Sequence, residues 1–205
     1  MLRRFPIIAV IGQGTPLPAE RTALAQATGA MIAWLGCHLL TGGGFGVMAA
    51  AAEGFTGVAD RRGLSIGVIP RLPDGGFDEP NRDAAGRPYP NDFVEIAIRT
   101  PLPPRVTDWQ GAPSRNHVNV LTADALIALP GGAGTGNELD MAALYRGEAA
   151  LPPPRRKTVL LGPADEFSAP HRAAFRHVET VALARETLTQ ILVQRGFQLF
   201  ATEKV

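Results

Sequence analysis

Leu129-Pro130-Gly131-Gly132-Ala133-Gly134-Thr135-Gly136-Asn137-Glu138 is the stretch on which the reading of the fold turns. The apolar run Ala125-Leu126-Ile127-Ala128-Leu129 predicts a buried strand leading into it, and a helical pattern follows from about Thr135 to Gly147. A strand, a glycine turn and a helix in succession leave unpaired N–H groups at the helix start, where they can face an anion. Gly131, Gly132, Gly134 and Gly136 have no side chain to hold a phosphate away from the backbone. Ala133 and Thr135 complete the cradle, and Glu138 falls in the first helical turn, within reach of whatever the phosphate carries. The plainer alternative is a tight turn with no ligand. Four glycines and a threonine within six residues favour the anion.

Two similar units precede this one. Pro6 to Gly12 reads as a central strand, apolar on both faces, followed by the turn Gly12-Gln13-Gly14-Thr15 and a helix from Pro18 to about Leu35. Leu17 stands where the dinucleotide fingerprint needs its third glycine, which gives an NAD site little support. His38 to Thr41 is a short strand, and Gly42-Gly43-Gly44-Phe45-Gly46 opens a helix through Val47, Met48 and the alanines 49–52. Gly43, Gly44 and Gly46, with Met48 beside them, serve a ligand contact and close helix–sheet packing equally well. Leu64 to Pro70 makes a third strand. This alternation predicts an α/β fold of the Rossmann-like kind, a doubly wound and mostly parallel sheet with helices on both faces.

Further along, residues 70–92 lack periodicity and predict a long surface loop, either a lid or disordered. A strand is expected at 93–98, and a second irregular stretch over 100–113 holds Trp109. Ser114 caps a helix running to Leu121, on which Arg115 and Asn119 share a face. Beyond the glycine unit come a strand at 157–161, a helix at 169–176, a last strand at 178–183 and a helix at 185–195. The whole chain, 1–205, is expected to be a single nucleotide-binding domain.

Composition narrows the function. A formal net charge of +1 gives no electrostatic footprint for nucleic acid, and no apolar stretch approaches the ~20 residues of a membrane span. One cysteine, Cys37, excludes an intrachain disulfide and fits a reducing, cytoplasmic setting, with Cys37 itself a small buried residue at a helix end. His38 and His117 are isolated, so no metal site is expected.

Four pieces in order are similar to the superfamily that holds the LONELY GUY phosphoribohydrolases and the molybdenum cofactor carrier proteins. They are Thr41 to Met48, Ile66 to Pro70, Ser114-Arg115-Asn116, and Pro130 to Thr135 with Glu138. In the hydrolase branch the resemblance implies cleavage of the N-glycosidic bond of a nucleoside 5′-monophosphate, with Arg115 and Glu138 at the catalytic positions and no cofactor required. The glycine residues, Ala133, Thr135, Met48 and Asn116 would hold the nucleotide. In the carrier branch it implies a bound molybdopterin-type ligand without turnover. The hydrolases usually carry glutamate and lysine around the arginine where this chain has Ser114 and Asn116. Their first glycine motif is one residue longer, and they usually have leucine and glutamate at the positions of Gly136 and Asn137. These departures point toward the carriers. The resemblance also implies a homodimer or larger assembly, with a nucleotide or pterin phosphate as its small-molecule partner. A pyridoxal-dependent lysine decarboxylase, a label sometimes attached to this motif, is excluded because neither Lys157 nor Lys204 adjoins a glycine turn.

Overall fold

The first strand, β1 (Ile7–Ile11), has apolar residues on both faces, and its pleat sends them into two separate cores. Ile8 and Val10 join one cluster; Ala9 and Ile11 join the other. The same alternation recurs in β5 (Ala125–Ala128), whose Ile127 and Leu126 point to opposite sides. Only a strand covered on both faces can use such a sequence, and all six strand pairings are parallel. The computed structural model describes residues 4–71, 86–104 and 108–199.

In chain order the other elements are α1 (Ala19–Trp34), β2 (His38–Thr41), α2 (Val47–Thr56), β3 (Ser65–Ile69), β4 (Ile96–Arg99) and α3 (Arg115–Thr122). After β5 come α4 (Ala133–Tyr145), β6 (Thr158–Leu161), α5 (Ala169–Ala174), β7 (Arg176–Val178) and α6 (Val181–Gln194). The seven strands lie in the order β4-β3-β2-β1-β5-β6-β7. Residues of α1, α2 and α6 fill the core on one face, and residues of α3, α4 and the α5 end fill the other. The doubly wound sheet expected from the sequence is therefore present, and it is wholly parallel. Connections run one way from β1 to β4 and the other way from β5 to β7, so the order reverses between β1 and β5.

Several boundaries differ from the sequence reading. The strand expected at 93–98 begins at Ile96, because residues 91–94 turn: Asn91 Oδ1 accepts from Phe93 N, and Asn91 O from Val94 N. The last strand is not 178–183 but β7. Thr180 ends it by capping α6, its hydroxyl accepting from Leu183 N. The helix expected at 169–176 stops at Ala174, where Phe175 turns into the core. The glycine-motif helix starts two residues early, at Ala133. Of the expected loop over 70–92, residues 72–85 lie outside the described residues, as do 105–107 of the second irregular stretch. Cys37 is buried between α1 and β2, and its thiol is pushed up to about 12, first by burial and then by Asp124.

Helices α1 and α2 meet backbone to backbone. A Cβ on Gly29 would lie 1.8 Å from Ala51 O, and one on Gly54 would lie 2.0 Å from Gln26 O. The alanines of α2, with little side-chain volume, permit this approach. In an exposed helix Gly→Ala gains up to about 1 kcal/mol. Here the added methyl must push two helices apart, an overpacking that costs about 1–3 kcal/mol. Gly29→Ala is therefore expected to lower stability in urea denaturation. An unchanged or raised midpoint would show that the helices can separate freely.

Candidate functional site

At the reversal, the turns after β1 and β5 splay apart and leave a cleft of about 800 Å³. One wall is Gly12 to Thr15; the opposite wall is Gly132 to Thr135 at the start of α4. The turns are tied behind the cleft by Gln13 N donating to Pro130 O, 3.4 Å. Gly132 occupies the N-cap of α4 and no side chain caps that end. Gly136 N is bonded to Gly132 O at 3.1 Å, so the N–H groups of Ala133, Gly134 and Thr135 have no partner within the helix. A Cβ placed on Gly132 or Gly134 would meet nothing within 4 Å. Protein packing does not require glycine at either position, whereas a ligand lying against the backbone would.

The third wall comes from α3. Ser114 and His117 form a capping box: Ser114 N donates to His117 Nδ1 at 3.0 Å, which leaves Nε2–H to donate to Trp109 O at 2.9 Å. His117 is thus spent on holding the helix start, and His38 Nδ1 accepts from Leu64 N far from the cleft. The capped helix presents Arg115, Asn116 and Asn119 to the cleft, at the i and i+4 spacing expected of one face. Arg115 lies so close over Gly42 that a Cβ there would be 1.3 Å from its Nη1. Gly42, the first residue of the second glycine turn, is the residue that makes room for the guanidinium.

Glu138 closes the floor, 8% exposed, and Asn119, 2% exposed, offers Nδ2 to Glu138 Oε1 at 3.5 Å. Burial raises the Glu138 carboxyl to about 7, against opposing pulls from the Arg115 charge and the Asn119 hydrogen bond. Such a group exchanges a proton near neutrality. Two buried polar atoms here have no partner among the described residues: Arg115 Nε, a donor, and Asn119 Oδ1, an acceptor. Orphaned atoms of this kind call for a ligand or water.

The fold therefore brings together Arg115, Asn116, Glu138, Met48, Gly132, Ala133, Gly134 and Thr135, all in the cleft wall. Gly131 stands behind it, because its missing Cβ is the space for Thr135 Oγ1, 2.2 Å away. Gly43, Gly44 and Gly46 do not line it. Gly43 O accepts from Asn91 N and Gly44 O from Asn91 Nδ2, while Gly46 packs on the Gln13 and Thr15 carbonyls with φ of 60°. Gly12, Gln13, Gly14 and Thr15, whose turn lacks the third glycine of the dinucleotide fingerprint, and Asn119 line the cleft too. The signal for the turn was its position after the central strand. A second hollow of about 420 Å³ shares Gly14 and Thr15 and is walled by Phe45 and Leu17. Trp109 packs edge-on against Tyr145 instead of facing a ligand. Lys157 lies at the opposite end of the sheet, before β6.

A Rossmann-like protein with a glycine-walled cleft at its switch point is the class that this fold and site define. More narrowly, the chain belongs to the SLOG cluster4 family, which matches residues 5–151. It is 34% identical over 149 residues to an uncharacterised protein of Archaeoglobus fulgidus, spanning 72% of this chain and 80% of that one. Among solved structures it is similar to the molybdenum cofactor carrier protein of Chlamydomonas reinhardtii, with 28% identity and a TM-score of 0.66 over 93% of this chain and 99% of that one. The molybdenum cofactor binding protein of the phototrophic bacterium Rippkaea orientalis gives 27% identity and a TM-score of 0.66 over 92% and 98%. The resemblance read from the glycine motifs is thus to the right group of proteins.

Glu138 makes stability depend on pH in a defined direction. Its folded pKa, about 7, lies above the ordinary 4.5, so the folded chain holds this proton more tightly than the unfolded chain does. The favourable contribution is fully present below about pH 4.5 and lost as pH rises through about 7, with a ceiling of about 3 kcal/mol. Glu138→Gln cannot ionise, so it should gain on the wild type between pH 5 and about 8 in urea titrations. Parallel curves for the two proteins across that range would mean that Glu138 ionises as an exposed carboxyl does.

Proposed function

We propose that this chain binds a phosphorylated heterocycle of the molybdopterin type in the cleft and carries it without turnover. The observation that supports this best is the open start of α4 facing two unpartnered polar atoms, Arg115 Nε and Asn119 Oδ1. Likeness to two molybdenum cofactor proteins along nearly their whole lengths adds to it. The N–H groups of Ala133, Gly134 and Thr135 would hold the phosphate, with the helix dipole favouring its charge. Arg115 would take a further phosphate oxygen through its planar fork. Asn116 and Asn119 would read hydrogen-bonding edges of the heterocycle, which needs a donor opposite Asn119 Oδ1. The molybdenum group, when bound, is cargo. A reducing, cytoplasmic setting suits the lone buried thiol of Cys37. Assembly into a homo-oligomer is supported by exposed Leu121 on α3 and by Leu144 and Tyr145 on α4.

One observation favours a second reading, hydrolysis of a nucleoside 5′-monophosphate to free base and ribose 5-phosphate. A carboxyl poised near 7 beside an arginine suits it: Glu138, ionised, would take a proton from the attacking water as the sugar develops oxocarbenium character. Arg115 would fix the nucleotide in register.

Mass spectrometry after native purification from a cofactor-producing host separates the two. A pterin phosphate is expected on the wild type and is expected to be lost, with affinity down at least tenfold, in Gly132→Asp. That change sets a carboxylate where the phosphate would sit and strains nothing, since the site of its Cβ is open. A pterin-free protein that releases base from AMP faster than Glu138→Ala does would transfer the assignment to hydrolysis.

A further inference from the structure

The chain's charge is nearly balanced overall, but it is not evenly spread. Beside the N-terminal end of β6, away from the cleft, a hollow of about 340 Å³ is walled by Arg155, Arg156, Lys157 and Arg195 with no carboxylate among its lining residues. Two of these cations are held in place. Arg156 donates from Nε to Leu151 O at 3.0 Å and from Nη1 to Ala173 O at 2.7 Å, and Arg195 Nη2 donates to Asp124 Oδ1 at 2.9 Å. The other two, Lys157 and Arg155, make no side-chain hydrogen bond or ion pair among the described residues.

The nearby carboxylates are already engaged. Asp124 accepts from both Arg4 Nη groups and from Ile7 N besides Arg195. Glu148, fully buried, accepts from Lys157 N, Thr158 N and Thr158 Oγ1 and pairs with Arg146 Nε at 2.8 Å. Arg146 Nη2 is buried with no partner among the described residues. Lys157 loses affinity for its proton first through burial and then through the charges of Arg195 and Arg146, which outrank the attraction of Glu148 and Asp124. Asp124 is shared between Arg195 and Arg4, and the C-terminal end of α6 supplies about half a negative charge, too little to balance Arg155, Arg156 and Lys157.

We propose that this hollow is a second anion site, separate from the cleft, for a compact ligand with two or more negative charges, such as a diphosphate or a phosphorylated sugar. Held guanidiniums present their forks without reordering, and the free Lys157 and Arg155 close on the ligand. The hollow's small volume selects a metabolite-sized anion over a polymer, which would need a basic track continuing beyond it.

Calorimetric titration with inorganic pyrophosphate at low ionic strength tests the proposal, using the Gly132→Asp chain so that the cleft's anion position is blocked. One saturable site per chain is expected, weakened at least tenfold by adding Arg155→Ala and Lys157→Ala, with circular dichroism unchanged because both side chains stand outside the cores. The site is refuted if Gly132→Asp shows no saturable binding, or if the added substitutions leave binding unaltered. A single-stranded oligonucleotide binding more tightly than pyrophosphate through the same residues would overturn the small-anion assignment. None of these outcomes depends on what the cleft carries.

Discussion

In a parallel sheet all strand ends of one sense lie along one edge, and each connection must cross a face to return. Where the winding reverses, between β1 and β5, the two departing chains leave in opposite directions and a gap opens in front of the bond that ties their turns. The cleft is that gap. Every feature of the site depends on it: the turn after β1, the open start of α4, and the room into which α3 can lean its polar face.

Burial then decides the chemistry within the cleft. An ionised Glu138 would need more compensation than one arginine and one long amide contact provide, so its proton is held to about 7. The same arrangement would suit the proposed carriage and the hydrolysis reading alike. A half-protonated carboxyl can donate to a heterocycle or accept from water, and the fold does not prescribe which. Likeness along the full length of two molybdenum cofactor proteins weighs toward carriage, and the departures around Arg115 weigh the same way.

Charge at the other end of the sheet obeys a different constraint. Glu148 accepts main-chain N–H groups at the start of β6, and Asp124 does so at the start of β1. Each is offset by arginine. Asp124 takes Arg4 and Arg195 and Glu148 takes Arg146, so neither carboxylate pairs with Arg155, Arg156 or Lys157, which line the hollow beside Arg195.

Much of this was legible in the sequence because it is local. Strands apolar on both faces with glycine turns after them fix a parallel, doubly wound sheet, and the P-G-G-A-G-T turn before a helix marks a helix start that no side chain caps. Ser114 as a cap and the shared face of Arg115 and Asn119 follow from helix geometry alone. What the sequence could not weigh was which glycines face outward. Gly43 and Gly44 look equal to Gly132 and Gly134 in a string of letters, yet the first pair is covered by Asn91 and the second faces open space. Gly42 makes room for an arginine 73 positions away in the chain. Asn119 joins Glu138 only because α3 and α4 pack side by side. Local sequence determined the elements and their turns; tertiary packing decided which residues meet, because burial and desolvation arise only when distant segments close over them.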